Sequence, residues 1–403
     1  MNRRDILRYL SVTPVLGGIL SPLFTGKSFA GQVRSGRNLF KELGIRTFIN
    51  AAGTYTHMSG TIMYDEVVET ITASVGEFAM IDEVQDRVGE RIAAMCHAEA
   101  ATVTAGCWSA VVLGTAGVLT GSDPKKIAQL PDITGMRSEI IVQKAHNFGY
   151  VHALKNTGAK VVEIETVDDF KRAVSENTAM TWFLNVYTNE GKIRHHEWLE
   201  LCKQYKIPAM IDIAADVPPV ENLWKYNDMG FDLVCISGGK LLHGPQSAGI
   251  LMGKRNLIAA ARLSAPPRGM NIGRGMKVNK EEILAMYIAL EKYVNSDHDK
   301  EMKSWSAKTF LIENAVKKIA GVRTEVYIPP IANRTPVLLI NWDDSLIRLK
   351  STELMEKLRA GNPSIEVMPG RNDGINVITN SMQNGQEKIV ARRLHEELIR
   401  SSV

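Results

Sequence analysis

An α/β fold, built on a mostly parallel sheet flanked by helices and followed by a smaller C-terminal α+β domain, is what this 403-residue sequence predicts. Three observations carry that reading. Short apolar runs rich in β-branched residues recur: ATVTAG, EIIVQ, AKVVEI, AMTWFLNVY, IPAMIDIA, FDLVCIS and AGILMG. Most are separated by segments long enough for a crossover helix, and near-continuous apolar strands alternating with helices belong to parallel sheets covered on both faces. Beyond Glu281 the pattern changes, and the length suits two lobes better than one core.

The first thirty residues, MNRRDILRYLSVTPVLGGILSPLFTGKSFA, differ from the rest. Paired Arg3 and Arg4 precede a modest apolar run broken by Gly and Pro, which ends in the small-x-small Ser28-Phe29-Ala30. This resembles a twin-arginine export signal with cleavage near Ala30, and so implies a periplasmic protein. The apolar run is short for a bilayer span, so no lasting membrane anchor is expected. Residues 31–65 read as an N-terminal segment with little helical pattern. Residues 66–280 form the large domain, opened by the amphipathic stretches DEVVETITASVGEF and DRVGERIAAMCHA. Residues 281–403 form the small domain: a long helix EEILAMYIALEKYV, a second through Trp305 and Phe310, strands TEVYI and PVLLIN, and helices at Ser351 and Gln386.

Charge excludes one class of partner. Arg3, Arg4, Arg8 and Lys27 against Asp5 take up most of the formal +4 of the chain, which leaves no field to draw a nucleic acid. Cys96, Cys107, Cys202 and Cys235 show no metal-like spacing. A twin-arginine substrate crosses already folded from a reducing compartment, so four buried free thiols are expected.

Three strand ends carry the chemistry. TVTAGCWSAVVLG runs a strand through Ala105-Gly106 into a helix, whose free N–H groups and dipole suit a phosphate. A simple tight turn would read the same. In AMIDIAAD, Asp212 sits inside an apolar run, and a buried carboxylate must be paired; a pyridinium N–H is one partner, a backbone amide or an arginine another. In FDLVCISGGKLLHGPQSAG, Lys240 stands at the mouth of a strand, where desolvation favours Schiff-base chemistry with an aldehyde. A phosphate cradle, an acid and a lysine 28 residues later are together what pyridoxal phosphate (PLP) needs from a protein.

SGGKLLHGPQSAGILMGKRNLI, followed by IGRGMKVNKEEI and preceded by INAAGTYTHMSGTIM and RIAAMCHAEAATVTAGCWSA, resembles the selenocysteine synthase and D-glucosaminate-6-phosphate ammonia-lyase group of fold type I PLP enzymes. The resemblance spans most of the chain beyond residue 30, and Gly239-Lys240 and Gln246-Ser247 are more similar to the lyase branch. It implies a fold type I PLP-transferase architecture and a homodimer or higher homo-oligomer acting on a small amino-acid-type substrate. Lys240 would hold the cofactor and then act at Cα, while Asp212 would keep its ring nitrogen protonated. His146 would stack on the ring; Gly106, Cys107 and Trp108 would bind the phosphate through backbone N–H groups, joined by the Ser237 hydroxyl. Arg274 and Lys277 would face an anionic substrate group. His97, Cys107 and Trp108 depart from the group's usual small residues and narrow the pocket mouth, and no tRNA-binding N-terminal domain is expected.

The function these readings imply is a PLP-dependent lyase that gives a keto acid and ammonia by β-elimination from an amino acid or amino-sugar acid. An aminotransferase, racemase or aldolase would start from the same site, and a non-catalytic scaffold could keep the fold. Ser237-Gly-Gly-Lys240 also fits the S-x-x-K nucleophile motif, but no S-D-N or K-T-G follows it, and it ends a strand instead of opening a helix.

Overall fold

The computed structural model describes residues 37–403. The expected export signal lies outside them. Residues 37–45 form a small unit of their own, a Leu39–Glu42 turn of helix capped by the Asn38 side chain, which accepts from the Lys41 N–H at 3.1 Å.

The large lobe is built on seven strands: β2 Ala100–Thr104, β3 Glu139–Gln143, β4 Lys160–Ile164, β5 Thr178–Leu184, β6 Ala209–Asp212, β7 Leu233–Ser237 and β8 Gly249–Gly253. Each of the seven apolar runs forms one of them. Their order is β2-β8-β7-β6-β5-β3-β4, parallel throughout except for β8, which runs antiparallel to both neighbours. The short connection from Ser237 to Gly249 requires that reversal, since two parallel strands need a long crossover.

Alternation along the strands splits the interior in two. Ile141, Phe183, Ile211 and Val234 face one core; Ile140, Trp182, Met210 and Leu233 face the other. Every residue of β5 is buried, as expected of a strand with helices on both sides. The Gly106–Thr120 helix is apolar nearly all round and, apart from its first turn, is buried in the second core.

The C-terminal lobe pairs β9 Val322–Tyr327, β10 Val337–Trp342, β12 Met368–Pro369 and β13 Ile375–Ile378 in an antiparallel sheet of order β12-β13-β10-β9. The helices His298–Val316, Ser351–Ala360 and Gln386–Arg400 contribute Ile312, Val316, Leu354, Leu358, Val390 and Leu394 to its core.

Two expected boundaries move. The Lys280–Val294 helix, assigned from sequence to the small lobe, packs Ile283, Met286, Ala289 and Leu290 into the first core of the large lobe. Its apolar face has to be buried somewhere, and the Asp65–Ser74 and Ile81–Met95 helices offer the complementary surface. Conversely, β1 (Phe48–Asn50) leaves the N-terminal segment to pair in parallel with β11 (Ser364–Glu366), and Ile49 and Ala51 enter the C-terminal core. All four cysteines are buried and unpaired. Among the described residues, no helix is long and apolar enough to cross a membrane.

Candidate active site

The strands β2, β3, β5, β6 and β7 all end on the same edge of the sheet, and that edge gathers the chemistry. At the end of β2, Gly106 adopts φ +79° and starts the fifteen-residue helix. The backbone there lies so close to β8 that a Cβ on Gly249 would stand 2.5 Å from the Gly106 carbonyl carbon and 2.6 Å from the Cys107 nitrogen. Only glycine at both places leaves the first N–H groups of the helix bare of side chain.

Asp212 closes β6 and is 5% exposed. Its Oδ1 accepts from the Ala214 N–H at 2.9 Å and from the Cys107 thiol at 3.5 Å, while Oδ2 takes no hydrogen bond. Burial raises its pKa, and those two donors and the Lys240 charge pull it back down. Lys240 lies beyond the end of the adjacent β7, half-buried, and its charge also acts on Cys107 and Asp216. The Ser-Gly-Gly before it is needed for packing. A Cβ on Gly238 would stand 2.3 Å from the Met286 sulfur, and one on Gly239 would stand 2.3 Å from the Gln246 Cα. The loop thus folds tightly on itself and holds Lys240 at the strand end. Ser237 is half-buried and sits opposite Gly249 in the β7–β8 ladder, beside the helix start.

His146 follows β3 but is fully enclosed. Its Nε2 donates to the Tyr187 carbonyl at 3.1 Å, its Nδ1 accepts from the Leu184 N–H at 3.3 Å, and Phe183 meets it edge-on at 4.4 Å. Burial drives its pKa to about 4, so the ring is neutral. The stacking role expected for His146 needs an open imidazole face, and this geometry gives it none. The residue of the same strand end that reaches Asp212 electrostatically is Tyr150, whose phenol pKa is raised by burial and then by Asp212, Tyr187, Cys107 and Tyr55. Arg274 and Lys277 are exposed on the 264–279 loop, which is pinned by Arg268 to Asp82 at 3.1 Å and by the Gly273 N–H to the Ser264 carbonyl at 3.1 Å. The structure gathers Gly106, Cys107, Asp212, Ser237 and Lys240 and shows no contact between them and these two cations. His97 lies elsewhere, paired with Asp228 at 3.0 Å on the surface.

Sequence reading missed a polar cluster behind Asp212. Asp216 is 1% exposed; its Oδ2 accepts from Asn185 Nδ2 at 2.9 Å and its Oδ1 has no partner. Burial and the neighbouring Asp212 push its pKa to about 7. Asn185 also donates to the Tyr226 hydroxyl at 2.7 Å, and its Oδ1 lies 2.6 Å from His195 Nε2 and accepts from the Thr188 hydroxyl at 3.1 Å. The second aspartate of IDIAAD was the available signal. Tyr150 stood in the same stretch as His146.

Comparison with known proteins decides the family. The model described as SelA: L-seryl-tRNA selenium transferase matches residues 48–321. The chain belongs to the SelA family. This SelA-family protein is 23% identical to D-glucosaminate-6-phosphate ammonia lyase of Salmonella typhimurium, over 81% of its own length and 88% of the relative's. It is 23% identical to a Streptomyces 5'-C-glycyluridine monooxygenase-decarboxylase, over 89% of its own length and 92% of the relative's. It is 26% identical to the L-seryl-tRNA(Sec) selenium transferase of Alkaliphilus oremlandii, over 64% and 58%. Among solved structures, D-glucosaminate-6-phosphate ammonia-lyase matches with a TM-score of 0.78 at 21% identity, covering 91% of this chain and 99% of that one. Sphingomonas wittichii serine palmitoyltransferase matches at 0.59 and 11%, covering 89% and 88%. The fold is the fold type I PLP-transferase fold, and the SelA-family protein is a PLP-dependent enzyme.

Its own residues fit that cofactor. Asp212 offers an Oδ2 that takes no hydrogen bond to a cationic ring N–H, the Gly106–Gly249 contact leaves a cradle that a Cβ would fill, and Lys240 follows the strand that lies between them in the sheet.

Proposed function

We propose that the protein is a PLP-dependent lyase that removes a β-substituent from an amino acid or amino-sugar acid and releases a keto acid and ammonia. One observation carries this reading: Lys240 and Asp212 stand at the ends of neighbouring strands, electrostatically coupled, beside a glycine-lined helix start. The likeness to an ammonia lyase over most of both chains supports it.

When bound, PLP supplies an electron sink for the bond broken at the substrate Cα. The protein's residues do the rest. The first N–H groups of the Gly106–Thr120 helix hold the phosphate, with the Ser237 hydroxyl beside them. Asp212 Oδ2 would accept the ring N–H, and the Cys107 and Ala214 donors on Oδ1 favour the charged form of that carboxylate against its burial. Lys240 holds the cofactor at rest. Once its amine is free, it takes the Cα proton as general base, and its half-buried place at the strand end keeps it beside the reacting carbon. Loss of the β-substituent leaves an enamine, which water converts to keto acid and ammonia. Arg274 and Lys277, exposed on the 264–279 loop, would supply cations for the substrate carboxylate.

The reading includes twin-arginine-type export to the periplasm, carried by Arg3, Arg4 and the Ser28-Phe29-Ala30 ending, and a homodimer as the working unit. Light scattering of the active fraction tests the dimer, and a monomer with full turnover would refute it. A reporter fused after residue 36, compared with its Arg3→Lys/Arg4→Lys version, tests the export route.

The reaction is tested by incubating purified protein with D- and L-amino acids bearing β-leaving groups in deuterated water. Cα exchange with keto acid and ammonia is the expected result. Exchange without ammonia would mean a racemase, stoichiometric pyridoxamine phosphate an aminotransferase, and aldehyde release an aldolase. Carbon dioxide release would move the reaction toward that named for the Streptomyces relative, and none of these would leave a scaffold.

A further inference from the structure

We propose that the variable part of the substrate is an uncharged planar ring, seated among Trp108, Phe148, Tyr150 and Tyr187, and that a phosphorylated side chain is disfavoured at the same place. The inference rests on the lyase reading above and adds the chemical class of the side chain.

The rings come from three neighbouring pieces of chain at the catalytic edge. Trp108 is the third residue of the Gly106–Thr120 helix and is 41% exposed. With the Asn156 amide turned so that its nitrogen donates to the His152 carbonyl, its oxygen accepts from Trp108 Nε1 at 3.2 Å, which ties the indole to the segment that carries Tyr150. Phe148 and Tyr150, in the segment after β3, are 57% and 51% exposed, with ring centroids 6.4 Å apart. Tyr187 follows β5, and its ring centroid is 5.5 Å from that of Phe148. Phe148 and Tyr150 open to solvent against the half-buried Tyr187, with Tyr150 coupled to the Asp212 carboxylate, mark a surface built to take an apolar or planar group.

Charge argues the same way. After burial, the groups that act on the Tyr150 phenol are Asp212, Tyr187, Cys107 and Tyr55; one is a carboxylic acid, the others are neutral phenols and a thiol, and none is a cation. A phosphate dianion placed there would face the Asp212 carboxylate with no positive partner among these groups. Lys240 is committed to the reaction, and Arg274 and Lys277 lie on the exposed 264–279 loop, left by the lyase reading to the α-carboxylate that every amino-acid substrate carries.

The test uses the full-length holoenzyme with three β-substituted amino acids, β-phenylserine, serine and O-phosphoserine, read by Cα deuterium exchange and by the split of kcat and KM. Binding is read separately by calorimetry with phenylalanine and alanine, which carry no leaving group. Phenylserine is expected to half-saturate at a concentration at least about tenfold lower than either competitor, and phenylalanine to bind more tightly than alanine by a similar factor. Tyr150→Leu, which keeps bulk but removes the ring, should raise the phenylserine KM at least about fivefold more than the serine KM, and Tyr150→Phe should largely restore it. Preference for O-phosphoserine would overturn the proposal, as would an equal effect of Tyr150→Leu on all substrates. Dissociation of the oligomer in Trp108→Leu or Tyr150→Leu would also overturn it, by assigning the rings to a subunit contact. Ring-selective binding without any Cα exchange would sustain this inference while refuting the lyase reading; exchange without ring selectivity would do the reverse.

Discussion

The Cys107 thiol donates to the Asp212 carboxylate across 3.5 Å, so the second residue of a helix and the last residue of a strand share one buried contact. The contact favours the ionised carboxylate, against a burial term that disfavours it. Cys107→Ala therefore raises the Asp212 pKa further, and the acid limb of cofactor binding should move to higher pH. Cys107→Ser should return it, and a spectrophotometric pH titration of the PLP-bound protein checks both.

Lys240 and Asp212 divide the work differently, and their variants should separate. Lys240→Ala should bind PLP without a covalent bond, losing the borohydride-fixed adduct at this position and turnover with it. Asp212→Asn should keep the adduct yet lose about a hundredfold or more in kcat, because the amide gives no charge to a protonated ring nitrogen. Peptide mapping after reduction and steady-state kinetics decide this; an adduct at Lys254 or Lys277 would refute the assignment.

Gly249→Ala places a methyl 2.5 Å from the Gly106 carbonyl carbon, against backbone on both sides. Overpacking of that kind costs about 1–3 kcal/mol, so the melting temperature should fall by several degrees. The helix start must shift to make room, and PLP retention on dialysis should weaken. An unchanged PLP Kd would place the phosphate elsewhere.

Asp216 and the two buried histidines oppose each other in their response to pH. His146 and His195 have folded pKa values of about 4, below the ordinary 6.5, so their stability contribution is present above 6.5 and lost as pH falls toward 4. Asp216, raised from 3.8 to about 7 by burial, contributes in the opposite sense: its stability is present at low pH and lost as pH rises through 7. Between about pH 4 and 6.5, unfolding should therefore take up about one proton net from these three groups, and about two in Asp216→Asn. Calorimetric unfolding in buffers of different ionisation enthalpy measures the difference. An unchanged uptake would mean that Asp216 is already ionised in the fold.

The large lobe was legible because all of its strands but the edge strand β4 are buried on both faces and so spell themselves as apolar runs; β5, TAMTWFL, is the clearest case. The C-terminal strands β11, β12 and β13 are two to four residues long, too short for any period to emerge. The lobe boundary was misread because amphipathicity reports that the Lys280–Val294 helix buries a face, not which core receives it. In the site, Lys240, Asp212 and Gly106 could be found because each breaks a local rule: a lysine at a buried strand mouth, an acid in an apolar run, a glycine between strand and helix. Tyr150 and Phe148 break none, since exposed aromatics in a loop look ordinary until the fold sets them beside Asp212. His146 was chosen for its chemistry, and its hydrogen bonds to Leu184 and Tyr187 depend on β5, which lies far along the chain.

The pairing of β1 with β11 has a consequence for the order of assembly. Phe48 aligns with Ser364 and Asn50 with Glu366, so a strand made early by the ribosome waits for almost the whole polypeptide before its neighbour exists. Long loops closed late make such contacts slow to form and dispensable to earlier steps. The sheet that holds Asp212 and Lys240 ends by Gly253, so a nascent chain can assemble the cofactor edge while its beginning is still unzipped. This clasp between β1 and β11 would be a late mark of completeness, and a chain stalled before Ser364 would lack it.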